Sequence, residues 1–305
     1  MIKTISKPVL FIIFNRPDTT KMVFEKIREA KPPRLYIAAD GPRSTRAGEE
    51  KNCIKTREVV SNVDWDCEVF TKFSDKNLGM KVAEYTAMNW FFENEEDGII
   101  LEDDTLPNNS FFWFCEELLN YYKNDTRIFH ISGCNLQFGK KYGDGTYYFS
   151  RNPICWGWAS WRRAWKYYDP NIKNYTNFDK LNHFSNIMVG DINKWQYKMM
   201  IKSIFRGRDT WDYQWSFAIQ SQHGLCITPN MSLITNIGYR PDATTSTYTS
   251  SKLSKILSED INTIVHPEFM VESVNADYYF NHLTFNQVPI PIRVINKLLR
   301  MLKNK

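Results

Sequence analysis

Short apolar runs alternate with segments of helical periodicity over the first 132 residues of the chain. The apolar runs are continuous and end in polar residues, which is typical of strands buried on both faces of a sheet. Met22, Val23 and Ile27 recur at helical spacing after a turn that begins with Pro17, and this combination predicts a helix. The predicted strands are 9–15, 34–40, 67–73, 99–101 and 127–132, and the later predicted helices are 47–60, 80–94 and 110–123.

This alternation predicts an α/β fold with a mainly parallel sheet flanked by helices. In such sheets, ligands bind at the carboxyl ends of the strands. Polar groups follow four of the predicted strands, so we expect a single ligand-binding edge. These groups are Asn15-Arg16, Asp40-Gly41, the loop 75–79 and Glu102-Asp103-Asp104. The sequence has no Gly-x-Gly-x-x-Gly or Walker-type loop, which argues against a dinucleotide or P-loop site of the usual kind.

The second half of the chain is less regular. Four tryptophans lie among basic residues in the segment 156–165, and a helix is predicted at 209–223. Residues 239–251 are rich in Thr and Ser and are predicted to form a loop. We found no internal repeat, so we predict one domain over 1–284 and a tail over 285–305.

The tail is a predicted basic amphipathic helix. Its apolar residues recur at helical spacing, with basic residues largely between them. Five basic residues and no acidic one lie in 293–305, and they account for the formal net charge of +5. Such a helix favours an anionic membrane surface, and packing on the body is the alternative. The remaining body is neutral and has no electrostatic footprint for nucleic acid.

The composition sets the broad class. With 305 residues, of which 43% are hydrophobic, the chain can bury a sizeable core, and disordered or low-complexity classes are excluded. No apolar run approaches the ~20 residues of a transmembrane helix, and the N-terminus lacks the apolar region of a signal peptide. The six cysteines include no Cys-x-x-Cys pair. We therefore predict a reduced, cytoplasmic protein, and the tail adds the alternative of peripheral binding to the inner face of the plasma membrane.

The acidic triplet Glu102-Asp103-Asp104 follows an apolar strand. Three consecutive carboxylates at a buried strand end repel one another unless a cation or hydrogen-bond donors compensate. A divalent cation such as Mg²⁺ or Mn²⁺ suits these oxygen ligands and completes its shell with substrate phosphates and water. The alternative is a solvated acidic turn.

This segment, followed by Pro107 and the Phe111-Phe112 helix, resembles the Asp-x-Asp-type segment of GT-A glycosyltransferases. The similarity is closest to the inverting N-acetylglucosaminyltransferase I-like group and its bacterial nucleotide-diphospho-sugar transferase relatives. Further short motifs occur in the same order as in that group. They are Phe14-Asn15-Arg16-Pro17, Ala39-Asp40-Gly41-Pro42, Asn77-Leu78-Gly79, Ile131-Ser132-Gly133, Trp156-Gly157-Trp158, Trp211-Asp212 and Asn236-Ile237-Gly238.

The resemblance implies a GT-A fold, which is Rossmann-like, with a nucleotide-sugar-binding half at 1–135. Asp104 would hold Mn²⁺ or Mg²⁺, although relatives often have a histidine where this chain has Thr245. Glu102 and Asp103 would bind ribose and sugar hydroxyls, and Asp40 the uracil base. The other residues implied for the nucleotide-sugar are Asn15, Arg16, Arg43, Asn77, Gly79 and Lys81.

The same resemblance implies an acceptor-binding half at 136–284 that carries the catalytic base. Asp212 matches the base, and Asp209 is the second candidate. Aromatic neighbours would reduce the hydration of Asp212 and raise its pKa, whereas a helix-capping role is the alternative. The residues implied near the donor sugar and the acceptor are Trp156, Gly157, Trp158 and Trp211, and an aromatic wall of the core is the other interpretation.

These inferences lead to a predicted function. The chain would transfer a sugar from a nucleotide-sugar, expected to be UDP-linked, to a hydroxyl of a surface polysaccharide or lipid-linked glycan, with inversion and metal assistance. The alternatives are a sugar nucleotidyltransferase and a non-catalytic glycan-binding protein on the same fold. The first alternative needs a Gly-rich loop after the first strand, and the segment from Asn15 to Asp18 contains no glycine.

Overall fold

A computed structural model describes residues 4–188, 191–240 and 252–285. These residues form an α/β fold with a large, mainly parallel sheet flanked by helices. The strands are β1 Val9–Ile13, β2 Arg34–Ala39, β3 Glu68–Phe73, β4 Asp97–Glu102, β5 Thr105–Pro107, β6 Ile128–Ser132, β7 Tyr147–Ser150, β8 Trp158–Trp161, β9 Leu225–Pro229 and β10 Ile234–Asn236. The α-helices are α1 Pro17–Ala30, α2 Glu49–Val59, α3 Met80–Asn94, α4 Phe111–Tyr121, α5 Arg162–Trp165, α6 Tyr175–Lys180, α7 Phe184–Ile187, α8 Asp191–Ile204, α9 Asp212–Ser221 and α10 Val274–Phe285.

The main sheet has eight strands in the order β3-β2-β1-β4-β8-β6-β9-β7. Strands β3, β2, β1 and β4 pair in parallel, as do β6 and β9. Strand β8 lies antiparallel between β4 and β6, and β7 is antiparallel to β9. Six strands therefore point in one direction, and the ends of β1 to β4 meet at one edge.

Both faces of the sheet are covered because side chains alternate along the buried strands. Val9, Phe11 and Ile13 of β1 pack into a core with residues of α1 and α4. Leu10 packs on the other face with residues of α3 and α9. A third apolar cluster joins α6, α7, α8 and α9 in the second half.

The element predictions for the first half match the structure closely. The helix predicted at 80–94 has the bounds of α3, and the predicted strands and the other helices agree with the structure within two residues at each end. Two features differ. All six residues of β3 are exposed, because β3 is the outer strand of the sheet. The tryptophan-rich segment forms β8, which was not predicted because four residues with no clear period do not indicate a strand.

A short second sheet brings the end of the second half to the acidic triplet. Strand β5 pairs antiparallel with β10, and the Ile237 N–H donates to the Asp104 carbonyl at 2.9 Å. Gly238 therefore lies against the Asp104 side chain. The tail 286–305 and the segment 241–251, which includes Thr245, are outside the described residues. In the part of the chain that the structure covers, no helix combines the length and apolar character needed to cross a membrane.

Candidate active site

A cleft of about 420 Å³ opens at the carboxyl ends of β1, β2, β3 and β4. Eight of the predicted nucleotide-sugar and metal residues line it, which supports the expectation of one ligand-binding edge. They are Arg16, Asp40, Arg43, Asn77, Gly79, Glu102, Asp103 and Asp104. Asn15 and Lys81 do not line the cleft.

Arg16 is the counter-charge of the acidic triplet. Its guanidinium donates to Asp104 Oδ2 at 3.0 Å and forms a second ion pair with Asp103. Asp103 also accepts the Phe14 N–H at 3.2 Å, so its carboxylate is tied to the end of β1. Burial opposes the charge on Arg16, but the two aspartates outweigh it and raise the pKa of Arg16. The arginine is therefore fully charged beside the cleft.

Two glutamates line the cleft next to this ion-pair network. Burial, and then the charges of Asp104 and Asp103, raise the pKa of Glu102 well above its ordinary value. Glu84 of α3 is almost fully buried, and burial followed by the charge of Glu102 raises its pKa in the same direction. No sequence pattern distinguishes Glu84, because a glutamate in the second turn of a helix usually faces solvent.

Asp40 fixes the loop between β3 and α3. Its carboxylate accepts the Gly41 N–H at 2.8 Å, the Leu78 N–H at 2.9 Å and the Asn77 amide at 2.8 Å. Gly41 fits tightly here, because a Cβ on it would lie 2.5 Å from the Lys76 carbonyl carbon. The contact of Asp40 with uracil stays a prediction.

Glu49, which no sequence pattern distinguishes, holds Asn15 and the cleft-lining residue Arg43 in place. It is buried at the start of α2 and accepts the Arg43 N–H at 2.6 Å and the Asn15 amide at 2.9 Å. The Arg43 guanidinium pairs with the same carboxylate. Glu49 therefore holds both Asn15 and Arg43 in this structure. To bind a diphosphate, the Arg43 guanidinium would have to contact the phosphate while it is also paired with Glu49.

Asp209 links the second half to the first. Its carboxylate accepts the backbone N–H groups of Met80 and Lys81 at 2.9 and 2.8 Å, so it caps the N-terminus of α3. Lys81 therefore contacts Asp209 through its backbone N–H, and its side chain does not line the cleft. Asp209, the second candidate for the base, lines the cleft but is occupied by this capping role.

Asp212 begins α9 and does not line the cleft, although its charge adds to the effect of burial in raising the pKa of Glu84 and Glu102. Burial raises the pKa of Asp212 itself, although hydrogen bonds from the Thr210 hydroxyl and the Tyr213 N–H oppose this shift. A partly buried carboxylate with a raised pKa has the properties of a general base.

The tryptophans mainly form a wall beneath the site, which corrects the sugar-contact prediction for two of them. Trp158 and Trp211 are 1% and 3% exposed, and their rings stack at a centroid distance of 5.7 Å. Trp156 is half-buried and packs edge-on against Tyr239 at 5.8 Å. Gly157 has φ +62°, and a Cβ there would lie 2.6 Å from Ile234 Cδ1, so packing rather than a ligand explains this glycine.

A metal ion would need ligands from its substrate. Among the described residues, no group of three or more His, Cys, Asp or Glu side chains is placed to hold a metal ion. Asp104 lines the cleft with a side chain that is 17% exposed. Mg²⁺ is commonly bound by one or two carboxylates together with substrate phosphates and water. Asp104 therefore fits Mn²⁺ or Mg²⁺ when a diphosphate supplies further oxygens.

Comparisons with known proteins give only a weak likeness. No family model matches the sequence. No curated protein matches it either. A crystal structure of UDP-glucose pyrophosphorylase complexed with UDP-glucose is 11% identical, with a TM-score of 0.29, over 53% of this chain and 71% of that chain. An apo UDP-glucose pyrophosphorylase is 10% identical, with a TM-score of 0.37, over 74% and 90%. Structural similarities with TM-scores this low do not assign a function.

Proposed function

We propose that this chain is a glycosyltransferase that moves a sugar from a nucleoside-diphosphate sugar, expected to be a UDP-sugar, to a hydroxyl of a glycan. One observation carries the proposal. A cleft at the ends of four parallel strands combines a charged arginine with the Glu102–Asp104 carboxylates, and a second-half carboxylate, Asp212, lies within electrostatic reach. Donor binding requires the arginine and the metal-binding carboxylates, and removal of the acceptor proton requires a further carboxylate.

The donor would lie along the rim formed by Arg16, Asp104 and the loop that Asp40 holds. Arg16 provides a charged donor for phosphate oxygens, and its fork geometry suits them. Mn²⁺ or Mg²⁺ held by Asp104 would stabilise the charge on the departing nucleoside diphosphate. The rigid loop at Asn77 would position the nucleoside.

Asp212 would act on the acceptor. As the bond between the anomeric carbon and the diphosphate oxygen breaks, the acceptor oxygen forms a bond to that carbon from the opposite face, which inverts its configuration. The acceptor hydroxyl proton passes to Asp212, and the electron pair of the broken bond leaves with the diphosphate. Burial of Asp212 supports this role because it raises the carboxylate's affinity for a proton.

The first test measures the donor. We expect calorimetry to show UDP binding that Mn²⁺ strengthens, and a screen of UDP-sugars to show slow donor hydrolysis. Asp104→Ala should remove the Mn²⁺ enhancement, whereas Asp64→Asn, a surface change, should not. UDP binding without any turnover in the presence of glycan acceptors would favour the non-catalytic alternative. Formation of a UDP-sugar from UTP and a sugar phosphate would favour the nucleotidyltransferase.

The second test measures the base. Asp212→Asn should keep donor binding and lose transfer by roughly 10²–10⁴-fold, the usual contribution of a general base. Near-normal turnover of this variant would exclude Asp212 as the base. The place of the acceptor in surface polysaccharide or lipid-linked glycan synthesis, and membrane binding through the tail, remain proposals from the sequence.

A further inference from the structure

Glu84 has a buried carboxylate oxygen without a partner at the wall of the cleft. Its side chain lines the cleft from the second turn of α3 and is only 8% exposed. Its Oε2 atom is buried and has no hydrogen-bond partner among the residues that the structure describes. A buried polar atom without a partner costs about 1–3 kcal/mol, so a native structure rarely keeps one without a function or a ligand.

The carboxyl of Glu84 also has an aromatic neighbour. Trp211, whose ring stacks on Trp158, opposes the rise that burial causes in the pKa of Glu84. The Tyr168 hydroxyl is a second buried polar atom that has no partner within the described part of the chain, and burial followed by the charges of Asp212 and Glu84 raises the pKa of Tyr168. Of these two buried polar atoms, the one on Glu84 belongs to a residue that lines the cleft, where a ligand could satisfy it.

The position of Glu84 decides which ligand fits. Glu84 and Glu102 line the same cleft, and the charges of Glu102 and Asp212 add to the effect of burial in raising the pKa of Glu84. The sugar of a bound donor must lie between the metal-binding carboxylate Asp104 and the proposed base, because its anomeric carbon joins the diphosphate on one side and meets the acceptor on the other. Sugar hydroxyls are neutral donors, and they satisfy a desolvated carboxyl without adding charge.

We propose that Glu84 binds a hydroxyl of the transferred sugar and thereby determines which donor sugar the cleft accepts. This inference rests on the proposed function. Sites built to hydrogen-bond a substrate hydroxyl discriminate strongly, because an analogue without that hydroxyl leaves the protein group unpaired. Glu84 would therefore favour sugars that place a hydroxyl towards α3.

The test compares the affinities of UDP and UDP-sugars in three variants. Glu84→Met removes the hydrogen bond at similar volume, Glu84→Gln keeps part of it, and Glu95→Gln is a matched control. Glu95 is a buried glutamate just after the other end of α3, where it pairs with Arg34 and Tyr36. Calorimetry should use UDP, UDP-glucose, UDP-N-acetylglucosamine and deoxy analogues of the preferred sugar.

We expect Glu84→Met to leave UDP affinity within about twofold of wild type and to weaken the preferred UDP-sugar about tenfold, which equals the loss of one good hydrogen bond. Glu84→Gln should lose less. Against the deoxy analogue that lacks the contacted hydroxyl, Glu84→Met should lose nothing further. Should Glu84→Met fail to fold, Glu84→Gln provides the same comparison.

An unchanged ratio of UDP-sugar to UDP affinity in both Glu84 variants would overturn the inference, and so would an equal loss in Glu95→Gln. Failure of the proposed function looks different. Wild-type protein would then bind neither UDP nor any UDP-sugar, and the role of Glu84 would fall with it.

Discussion

Removing Arg16 should destabilise the protein strongly, because this side chain neutralises two carboxylates at once. The Asp103 side chain is 4% exposed and the Asp104 side chain 17%, so neither gains full hydration when the arginine is lost. Breaking a buried ion pair by deleting one partner typically costs 3–5 kcal/mol. We expect Arg16→Met to lower the free energy of unfolding by about 3–5 kcal/mol at pH 7.5.

The loss should also depend on pH, and its sign follows from the charges. Burial already raises the pKa of Asp103 against the pull of Arg16, and loss of the arginine raises it further. A carboxyl with a raised pKa in the folded state stabilises the fold below its unfolded pKa, and that contribution is lost as the pH rises through the folded pKa. The defect of Arg16→Met should therefore shrink at pH 5.5.

Urea unfolding, analysed by linear extrapolation with chelator present, measures both effects. Arg28→Met is the matched control, because Arg28 pairs with Asp64 at the exposed surface, where ion pairs contribute little. The double variant Arg16→Met with Asp103→Asn should recover much of the lost stability. Equal stabilities of Arg16→Met and Arg28→Met would refute a structural role for the buried network.

Three further predictions follow from other contacts. Gly238→Ala places a methyl group against the Asp104 carboxylate and should weaken Mn²⁺-dependent UDP binding about tenfold in calorimetry, with UDP binding in chelator unchanged; equal binding in Mn²⁺ would contradict the close approach. Asp209→Ala removes the cap of α3 and should cost about 1–2 kcal/mol in urea unfolding, whereas Asp209→Asn should retain part of it. Burial raises the pKa of Asp277 to about 6, so wild-type stability should fall relative to Asp277→Asn by about 2 kcal/mol between pH 4 and pH 7; parallel pH profiles would contradict this.

Much of the first half could be predicted from the sequence because its signals are local. Continuous apolar runs gave β1 and β2, and the spacing in 80–94 gave α3. The polar residues after each strand could be assigned to one edge because parallel strands align their ends. The acidic triplet is recognisable because it begins at the last residue of β4, directly after an apolar run.

The remaining features depend on contacts between distant segments. Glu84 and Glu49 look like ordinary helix glutamates, and only tertiary packing buries them. The burial of Trp158 could not be predicted, because a four-residue strand is too short for its periodicity to show which side chains face the core. The capping of α3 by Asp209 joins residues that are 129 positions apart, which no local pattern reveals.

The position of β8 has a consequence for any attempt to dissect the chain. A fragment that stops at residue 135 would contain β4 and β6 but lack the strand that lies between them, and also β9. The backbone amides and carbonyls of β4 that pair with β8 would then have no partner and would lie beside apolar residues. Exposed strand edges of this kind promote self-association. Such a fragment should precipitate or be degraded in the cell rather than serve as a portable nucleotide-binding module.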